Sequence, residues 1–310
     1  MPTSAVICED LVGLRAQALG LAEAAGLAPE MRIFEPLRPW RWIASSLWPA
    51  PLSAVPRETT AAPLPDIAVS CGGKGGAVIA ALRKRGPRAV QVQDPRIHPR
   101  RFDLIVTNRH DGLSGPNVVI VRTAIHRANA ARLAEEAERW RPRLGHLPRP
   151  LVAVLVGGSN GRYRLDAAVG TELASKLACM IRADRAGVAL TPSRRTDPAV
   201  VRLLRERLEP LGGWVWDGGG ENPYFGLLGL ADAIIATQDS VSMISEAVAT
   251  SAPVMVAPLP GRSRRQNQFV RGLVGDGRVR PFAGRLEMWP VQPMDDTPEA
   301  AAEMRRRLGF

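Results

Sequence analysis

The densest concentration of side chains with chemical use is Thr237-Gln238-Asp239-Ser240-Val241-Ser242-Met243-Ile244-Ser245-Glu246. An apolar run ends at Ala236 just before it, and a helix is predicted to begin near Ser240. Ser240 and Ser242 can cap that helix or bind an anion at the positive end of its dipole. Glu246 falls about one and a half turns further in, and a carboxylate there can accept two hydrogen bonds from vicinal hydroxyls such as those of a ribose. Capping accounts for the serines and leaves the glutamate unexplained. Two further loops present similar chemistry. Gly157, Gly158, Ser159, Asn160 and Gly161 follow an apolar run and precede Arg162 and Arg164. Such glycines let backbone N–H groups approach a phosphate, although the pattern is neither a GxGxxG fingerprint nor a P-loop and also suits a tight strand-to-helix turn. Thr191-Pro192-Ser193-Arg194-Arg195-Thr196 follows the next run. Its guanidinium forks match diphosphate oxygens, while adjacent arginines in an arginine-rich chain are often just solvated.

The first half carries Ser70-Cys71-Gly72-Gly73-Lys74-Gly75-Gly76, where the glycines would admit a ligand or a facing domain close to the backbone. Gln93-Asp94-Pro95 and Asn108-Arg109-His110-Asp111 end two later apolar runs. Asp94 and His110 are therefore the candidate general bases, the alternative for His110 being an ordinary surface histidine. No metal site can be drawn, because the three cysteines at 8, 71 and 179 have wide, irregular spacing and form no CxxC pair. The same spacing rules out a disulfide framework and fits a reducing, cytoplasmic compartment.

Short β-branched runs alternate with helical patterns, which predicts parallel sheets covered on both faces. Strands are expected at Ser4–Cys8, Met31–Phe34, Asp66–Ser70, Ala89–Val92, Asp103–Val106 and Asn117–Val121, with a helix from about Leu11 to Ala25 and another ending near Trp140. Arg141–Pro150 holds three prolines and a glycine and reads as a linker. The alternation restarts with Leu151–Val156, a helix near Asp166–Arg182, Gly187–Thr191, a helix capped by Asp197 with Pro198 at its first position, Trp214–Trp216, Asp232–Ala236 and Pro253–Ala257. The expected fold is α/β, with two Rossmann-like domains, residues 1–145 and 150–285, whose parallel sheets face each other across a cleft, and a terminal segment over 286–310. Ligands on such sheets sit beyond the carboxyl ends of the strands, which is where the loops above fall.

At 310 residues and 45% hydrophobic, the chain can build two cores of ordinary size, excluding intrinsic disorder and disulfide-held miniproteins. The net charge of +11 comes almost wholly from arginine, since only Lys74, Lys84 and Lys176 are lysines. That field attracts phosphates and anionic lipid without choosing between them. Nucleic acid is not the expected partner, because the arginines are scattered and aromatics are only 5% of residues. No run of 18 uncharged apolar residues exists to span a membrane, and Glu9 and Asp10 suit neither a secretory signal nor a transit peptide. Leu37–Val55 is distinctive: Trp40, Trp42 and Trp48 lie among three prolines, with Arg38, Arg41 and Arg57 in or beside it and no acidic residue within it. It reads as a loop or short turns, either packed beneath its own tryptophans or lying at a bilayer interface.

The loops of the second half, with Glu221-Asn222-Pro223-Tyr224, together with Gln93-Asp94-Pro95 and His110-Asp111, resemble the mitochondrial-fission Elm-type family over nearly the whole chain. That family is similar in its two-domain form to the GT-B glycosyltransferases. With Gly261 and Arg265-Gln266-Asn267-Gln268, the second half also looks like the peptidoglycan lipid-intermediate N-acetylglucosaminyltransferase. The resemblance implies a nucleotide-sugar donor as substrate, with a uridine diphosphate sugar the expected one, and no cofactor. It assigns Gly157–Gly161, Ser240, Ser242 and Glu246 to the nucleotide and Gln266 and Asn267 to the sugar, and Ser193, Arg194, Arg195, Asn222 and Tyr224 complete the expected binding set. It further implies metal-independent transfer to an unidentified acceptor, lipid-linked if the tryptophan segment meets the inner membrane, and a closing helix, Thr297–Leu308, that crosses back to the first domain. One departure is plain: Ile7-Cys8-Glu9-Asp10 stands where the glycosyltransferase has a histidine in a glycine loop. The alternative is a non-catalytic GT-B-fold scaffold or membrane-remodelling factor.

Overall fold

A computed structural model describes residues 1–310. In the first of two parallel sheets, β1 (Ser4–Glu9), β2 (Glu30–Phe34), β3 (Ile67–Cys71), β4 (Arg88–Val92), β5 (Leu104–Asn108) and β6 (Val118–Val121) are ordered β2-β1-β3-β4-β5-β6. The inner strands β1, β3, β4 and β5 are largely buried on both faces because each face has its own cover. Val6, Val69, Val90 and Val106 lie under α1 (Val12–Ala24), while Ala5, Ala68, Ala89 and Ile105 lie under α2 (Gly73–Leu82).

The second sheet comprises β7 (Leu151–Val156), β8 (Gly187–Pro192), β9 (Trp214–Val215), β10 (Ala233–Thr237), β11 (Val254–Ala257) and β12 (Val279–Pro281), ordered β12-β11-β10-β7-β8-β9. Its helices are α3 (Ala130–Leu144), α4 (Ala167–Asp184), α5 (Pro198–Leu208), α6 (Tyr224–Leu230), α7 (Val241–Val248) and α8 (Arg264–Gly275). Side chains of Asn129, Asp166, Asp197, Ser240 and Ser263 each accept a main-chain N–H of the helix that follows, fixing where five of these helices start.

The chain forms two compact units, one of Met1–Arg127 with Asp295–Phe310 and one of Ala128–Met294. This differs from a boundary at 145. The apolar stripe Leu133, Ala137, Trp140 and Leu144 of α3 belongs to the second core, where Gly226 and Gly229 of α6 leave no room for a Cβ against Trp140 and Leu133. The proline-rich stretch after α3 is therefore an internal connection of the second unit. Residues 286–294 also belong there, with the Met294 N–H donating to Val248 O at 2.8 Å. Only the last sixteen residues return to the first unit, where α9 (Thr297–Leu308) buries Ala300, Ala301 and Met304 in the α1 core.

Residues 37–55 form short 3₁₀ turns. Trp48 is buried edge-on to Trp40 at 6.4 Å and donates to Ile43 O, whereas Trp42 is 69% exposed beside Arg38 and Arg41. No helix is long and apolar enough to cross a membrane.

Candidate functional site

In the second sheet the strand order reverses between β7 and β10, so the loops that follow these two strands stand at the topological switch point of the carboxyl edge, the place where open α/β sheets bind ligands. The loop after β7 is Gly157–Gly161 and the loop after β10 is Gln238–Ser240. The two motifs read from sequence thus flank the switch point. The loop after β8, the neighbour of β7, supplies Ser193, Arg194 and Arg195.

Asp239 is the hub of this edge. Its fully buried carboxylate accepts the Gly158 N–H at 3.0 Å, the Thr237 hydroxyl at 2.6 Å and Arg195 Nη2 at 2.8 Å. The Gly157 N–H donates to Thr237 Oγ1 at 2.8 Å, Arg195 Nη1 donates to Gly158 O at 3.1 Å, and the Thr196 hydroxyl donates to Gly157 O. A Cβ at Gly157 would collide with the Asp239 carboxylate, and one at Gly158 with the Arg195 backbone. These glycines are needed for close approach, but the approaching anion is a carboxylate of the chain itself. The expectation that Gly157 and Gly158 offer free N–H groups to a phosphate is corrected accordingly, and Arg195 is held by an ion pair.

Arg194 is exposed and makes no ion pair, while Ser193 Oγ accepts the Arg195 N–H at 3.2 Å. Ser159 exchanges hydrogen bonds with Leu165, Asn160 Oδ1 accepts from Arg162 and Tyr163, and Gly161 has open space around its Cα. Ser240 caps α7 through the Met243 N–H at 3.3 Å, and Ser242 is half-buried in the first turn.

Glu246 is 8% exposed on α7. Its Oε2 accepts the Tyr224 hydroxyl at 2.5 Å, and Asn222 fixes the start of α6 by accepting the Tyr224 N–H at 3.0 Å. Desolvation pushes the Glu246 carboxyl up to about 7, against the opposing pull of the Tyr224 hydrogen bond and the Arg132 charge. Burial and the neighbouring carboxylate push the Tyr224 hydroxyl well above its usual range.

Gln266 and Asn267 open α8 and turn toward the β10 loop. Gln266 Nε2 donates to Gln238 O, and Asn267 Oδ1 accepts from Gln238 Nε2 at 2.9 Å and the Tyr163 hydroxyl at 3.0 Å. Sequence reasoning missed Tyr163, Thr196 and Thr237 and the central role of Asp239. The contacts that join them to the site, Gly157 with Thr237, Thr196 with Gly157, Tyr163 with Asn267 and Asp239 with Gly158, link residues far apart in the chain, and no local pattern announces them.

In the first unit, Asp94 and His110 follow adjacent strands β4 and β5 at the carboxyl edge. Asp94 Oδ1 accepts the Arg96 N–H at 2.8 Å, and both Gln93 and Arg96 take left-handed backbone angles, with φ of 68° and 57°. Two non-glycine residues so placed mark a strained loop of the kind found at functional sites. His110 is half-buried in a 3₁₀ turn, and Asp111 accepts the Thr107 hydroxyl at 2.9 Å. This sheet reverses order between β1 and β3, where Lys74 Nζ meets Glu9 at 3.0 Å. Gly75 and Gly76, expected to admit a ligand, instead bring α2 down onto Ser70 and Gln91. No group of His, Cys, Asp and Glu is arranged to hold a metal ion.

The whole fold has solved counterparts. It resembles the glycosyltransferase SnogD from Streptomyces nogalater (TM-score 0.55, 17% identity, 100% of this chain and 95% of that one). It also resembles the UDP-GlcNAc 2-epimerase from Methanocaldococcus jannaschii (0.53, 12%, 99% and 100%) and MurG from Acinetobacter baumannii (0.50, 15%, 99% and 90%). At these identities the likeness establishes a GT-B-type fold, which transferases and epimerases share. Among characterised sequences, the mitochondrial fission protein ELM1 of Arabidopsis thaliana is 31% identical over 282 residues, 81% of this chain, and the chain spans 66% of that protein's length. An uncharacterised protein of Rickettsia prowazekii, RP120, is 22% identical over 76% of this chain and 78% of its own length. The sequence profile described as Mitochondrial fission ELM1 matches residues 12–308, and the chain belongs to that family.

Proposed function

We propose that the second unit binds a nucleoside diphosphate sugar, with uridine diphosphate sugars the first class to test, and that the protein is a metal-independent glycosyltransferase. The observation that carries this reading is Glu246: a carboxylate 8% exposed on the helix at the switch point, raised toward neutrality by burial and bonded to Tyr224. A buried acid of this kind is costly for the fold and is characteristic of a site that uses it. Glu246 holds the ribose hydroxyls, and Arg194 with the Ser240–Ser242 helix start takes the diphosphate. Asp239 and Arg195 shape the loop beneath, and Gln266 and Asn267 meet the sugar. In the transfer, an acceptor oxygen bonds to the anomeric carbon as the bond to the diphosphate breaks. The diphosphate leaves with that electron pair, and Asp94 or His110 takes the hydroxyl proton.

The test is calorimetry and thermal shift with nucleoside diphosphates, their sugars and inorganic pyrophosphate. A true ligand at a hundredfold excess over its Kd stabilises by about 2.7 kcal/mol. Glu246→Ala is expected to weaken nucleoside diphosphates far more than pyrophosphate, which has no ribose; equal losses remove Glu246 from the site.

A second reading, a non-catalytic scaffold or membrane-remodelling factor, is favoured by the self-satisfied Gly157–Asp239–Arg195 network, which closes without a ligand. Binding without turnover over a panel of acceptors, lipid-linked ones included, selects it. In either reading the compartment is cytoplasmic, with peripheral contact at the inner membrane through Trp42 and Leu47, which are 69% and 71% exposed. Flotation with anionic liposomes, lost in Trp42→Ser/Leu47→Ser, tests that contact. The buried Trp48 belongs to the core and is unsuited to the test.

A further inference from the structure

A cavity of 540 Å³ lies in the first unit, on the side of the sheet away from Asp94 and His110. Its wall residues Arg83, Lys84, Gly86 and Pro87 lead into β4, whose first residue Arg88 also lines it, and Arg100, Arg101 and Asp103 lead into β5, which places the cavity at the amino edge. The floor is apolar, made by Trp48, Pro51, Ala77 and Ala80. The rim carries Arg83, Lys84, Arg88, Arg100 and Arg101 against the single carboxylate of Asp103.

That carboxylate is already occupied. Asp103 takes Arg83 through Nε at 2.9 Å and Nη2 at 3.0 Å and also accepts the Ala89 N–H at 2.8 Å, an arrangement that anchors the start of β4. Arg88 stands off at 3.8 Å. The side chains of Lys84, Arg100 and Arg101 are exposed and have no ion-pair partner. Many exposed arginines elsewhere in the chain are matched by a neighbouring carboxylate, as Arg306 is by Glu303 and Arg285 by Asp184. Here like charges are gathered around a concave surface, where an incoming anion relieves their mutual repulsion. Guanidiniums bind phosphate oxygens in a fork, and an apolar floor beneath them adds attraction for a ligand that carries hydrocarbon beside its charge.

We propose that this cavity is a binding site for a phosphate monoester borne on an apolar group. The site is separate from the nucleotide-binding reading and stands or falls without it. The same chemistry is presented by a free amphiphile and by the headgroups of an anionic bilayer, so the experiment separates the two.

Binding of dioctanoyl phosphatidic acid, below its micelle concentration, is compared with binding of glycerol 3-phosphate, in the full chain and in Arg100→Ser/Arg101→Ser. A charge-matched control, Arg202→Ser/Arg207→Ser, changes two exposed arginines of α5. The lipid should saturate a site on the wild type and bind at least about tenfold less tightly to the Arg100/Arg101 variant, a difference of about 1.4 kcal/mol. Glycerol 3-phosphate should bind more weakly than the lipid, and the control should behave as wild type. In a parallel arm, vesicles of phosphatidylcholine with and without phosphatidic acid are floated with the same proteins. Loss of both soluble and vesicle binding in the Arg100/Arg101 variant assigns the site to bilayer headgroups. Loss of soluble binding alone assigns it to a free amphiphile. As a measurement on unaltered protein, the lipid should protect Arg100 and Arg101 from an arginine-selective dicarbonyl reagent. Equal affinity for glycerol 3-phosphate and the lipid, equal weakening in the control, or no saturable binding overturns the proposal.

Discussion

Asp239 and Arg195 form an ion pair whose two ends live in different surroundings: the carboxylate is fully buried, and the guanidinium that meets it at 2.8 Å is 41% exposed. Removing the two partners is therefore not equivalent. Asp239→Ala leaves the Gly158 N–H and the Thr237 hydroxyl without their acceptor under the β7 loop and should cost about 3 kcal/mol. Arg195→Ala lets water reach the carboxylate from the open side and should cost only about 1 kcal/mol. Urea unfolding of both variants and the double mutant measures the difference, and equal single losses would show that the pair, and not the loop closure around Asp239, holds this edge together.

Glu246 makes the second unit pH-sensitive in a definite direction. Its folded value, about 7, lies above its ordinary value of 4.5 because burial disfavours the charge. Its contribution to stability is thus fully present below 4.5 and is lost as the pH rises toward 7, about 3 kcal/mol for a shift of this size. Glu246→Gln keeps an acceptor for the Tyr224 hydroxyl and cannot ionise. The difference in melting temperature between the two proteins should therefore grow in favour of the variant across that window. A constant difference would place the carboxyl at an ordinary value.

Arg278 is a buried cation without an anion. Its guanidinium donates to Val248 O at 2.8 and 3.1 Å, Thr250 O at 2.6 Å and Ala252 O at 3.1 Å, closing the carboxyl end of α7, where the helix dipole is negative. Burial lowers its pKa to about 10, so it remains charged at neutral pH. Arg278→Met fills the space and strands those carbonyls, at an expected cost of about 3 kcal/mol. Because α7 also carries Ser240 and Glu246, the loss should appear both in melting temperature and in nucleotide affinity, if nucleotide binds there. A stable variant would mean that water replaces the guanidinium.

Much of this was legible beforehand because it is local. Apolar runs at strand spacing, Asp197 before Pro198, and Ser240 at the end of a strand each declare an element within a few residues. Three things were not legible. Leu133, Ala137, Trp140 and Leu144 show a helix with one apolar face, but the choice of core depends on Gly226 and Gly229, some ninety residues on. The short β12 and α6 lack enough periodicity to stand out. In the candidate site, the glycines at 157 and 158 read as a cradle for a ligand phosphate, whereas the group packed against them is the Asp239 carboxylate, about eighty positions away, and no spacing rule links them.

The last prediction concerns the return of the chain to the first unit. Asp296 is 5% exposed and receives the main-chain N–H of Arg122 at 2.5 Å and Arg122 Nη2 at 2.6 Å, while α9 beyond it buries Ala300, Ala301 and Met304. Burial works to raise the Asp296 carboxyl, but the Arg122 hydrogen bonds and charge prevail and hold it below its ordinary 3.8. Its stabilisation is therefore complete above 3.8 and is lost as the pH falls through the lowered value. Asp296→Asn should lower the melting temperature at neutral pH, and its deficit relative to wild type should shrink in acid. Truncation after Met294 removes both the carboxylate and the apolar face of α9, so the first unit should lose more than the point variant, with hydrogen exchange rising first in α1, which α9 covers. A truncated chain with unchanged exchange in α1 would show that the helix lies on the first unit without stabilising it.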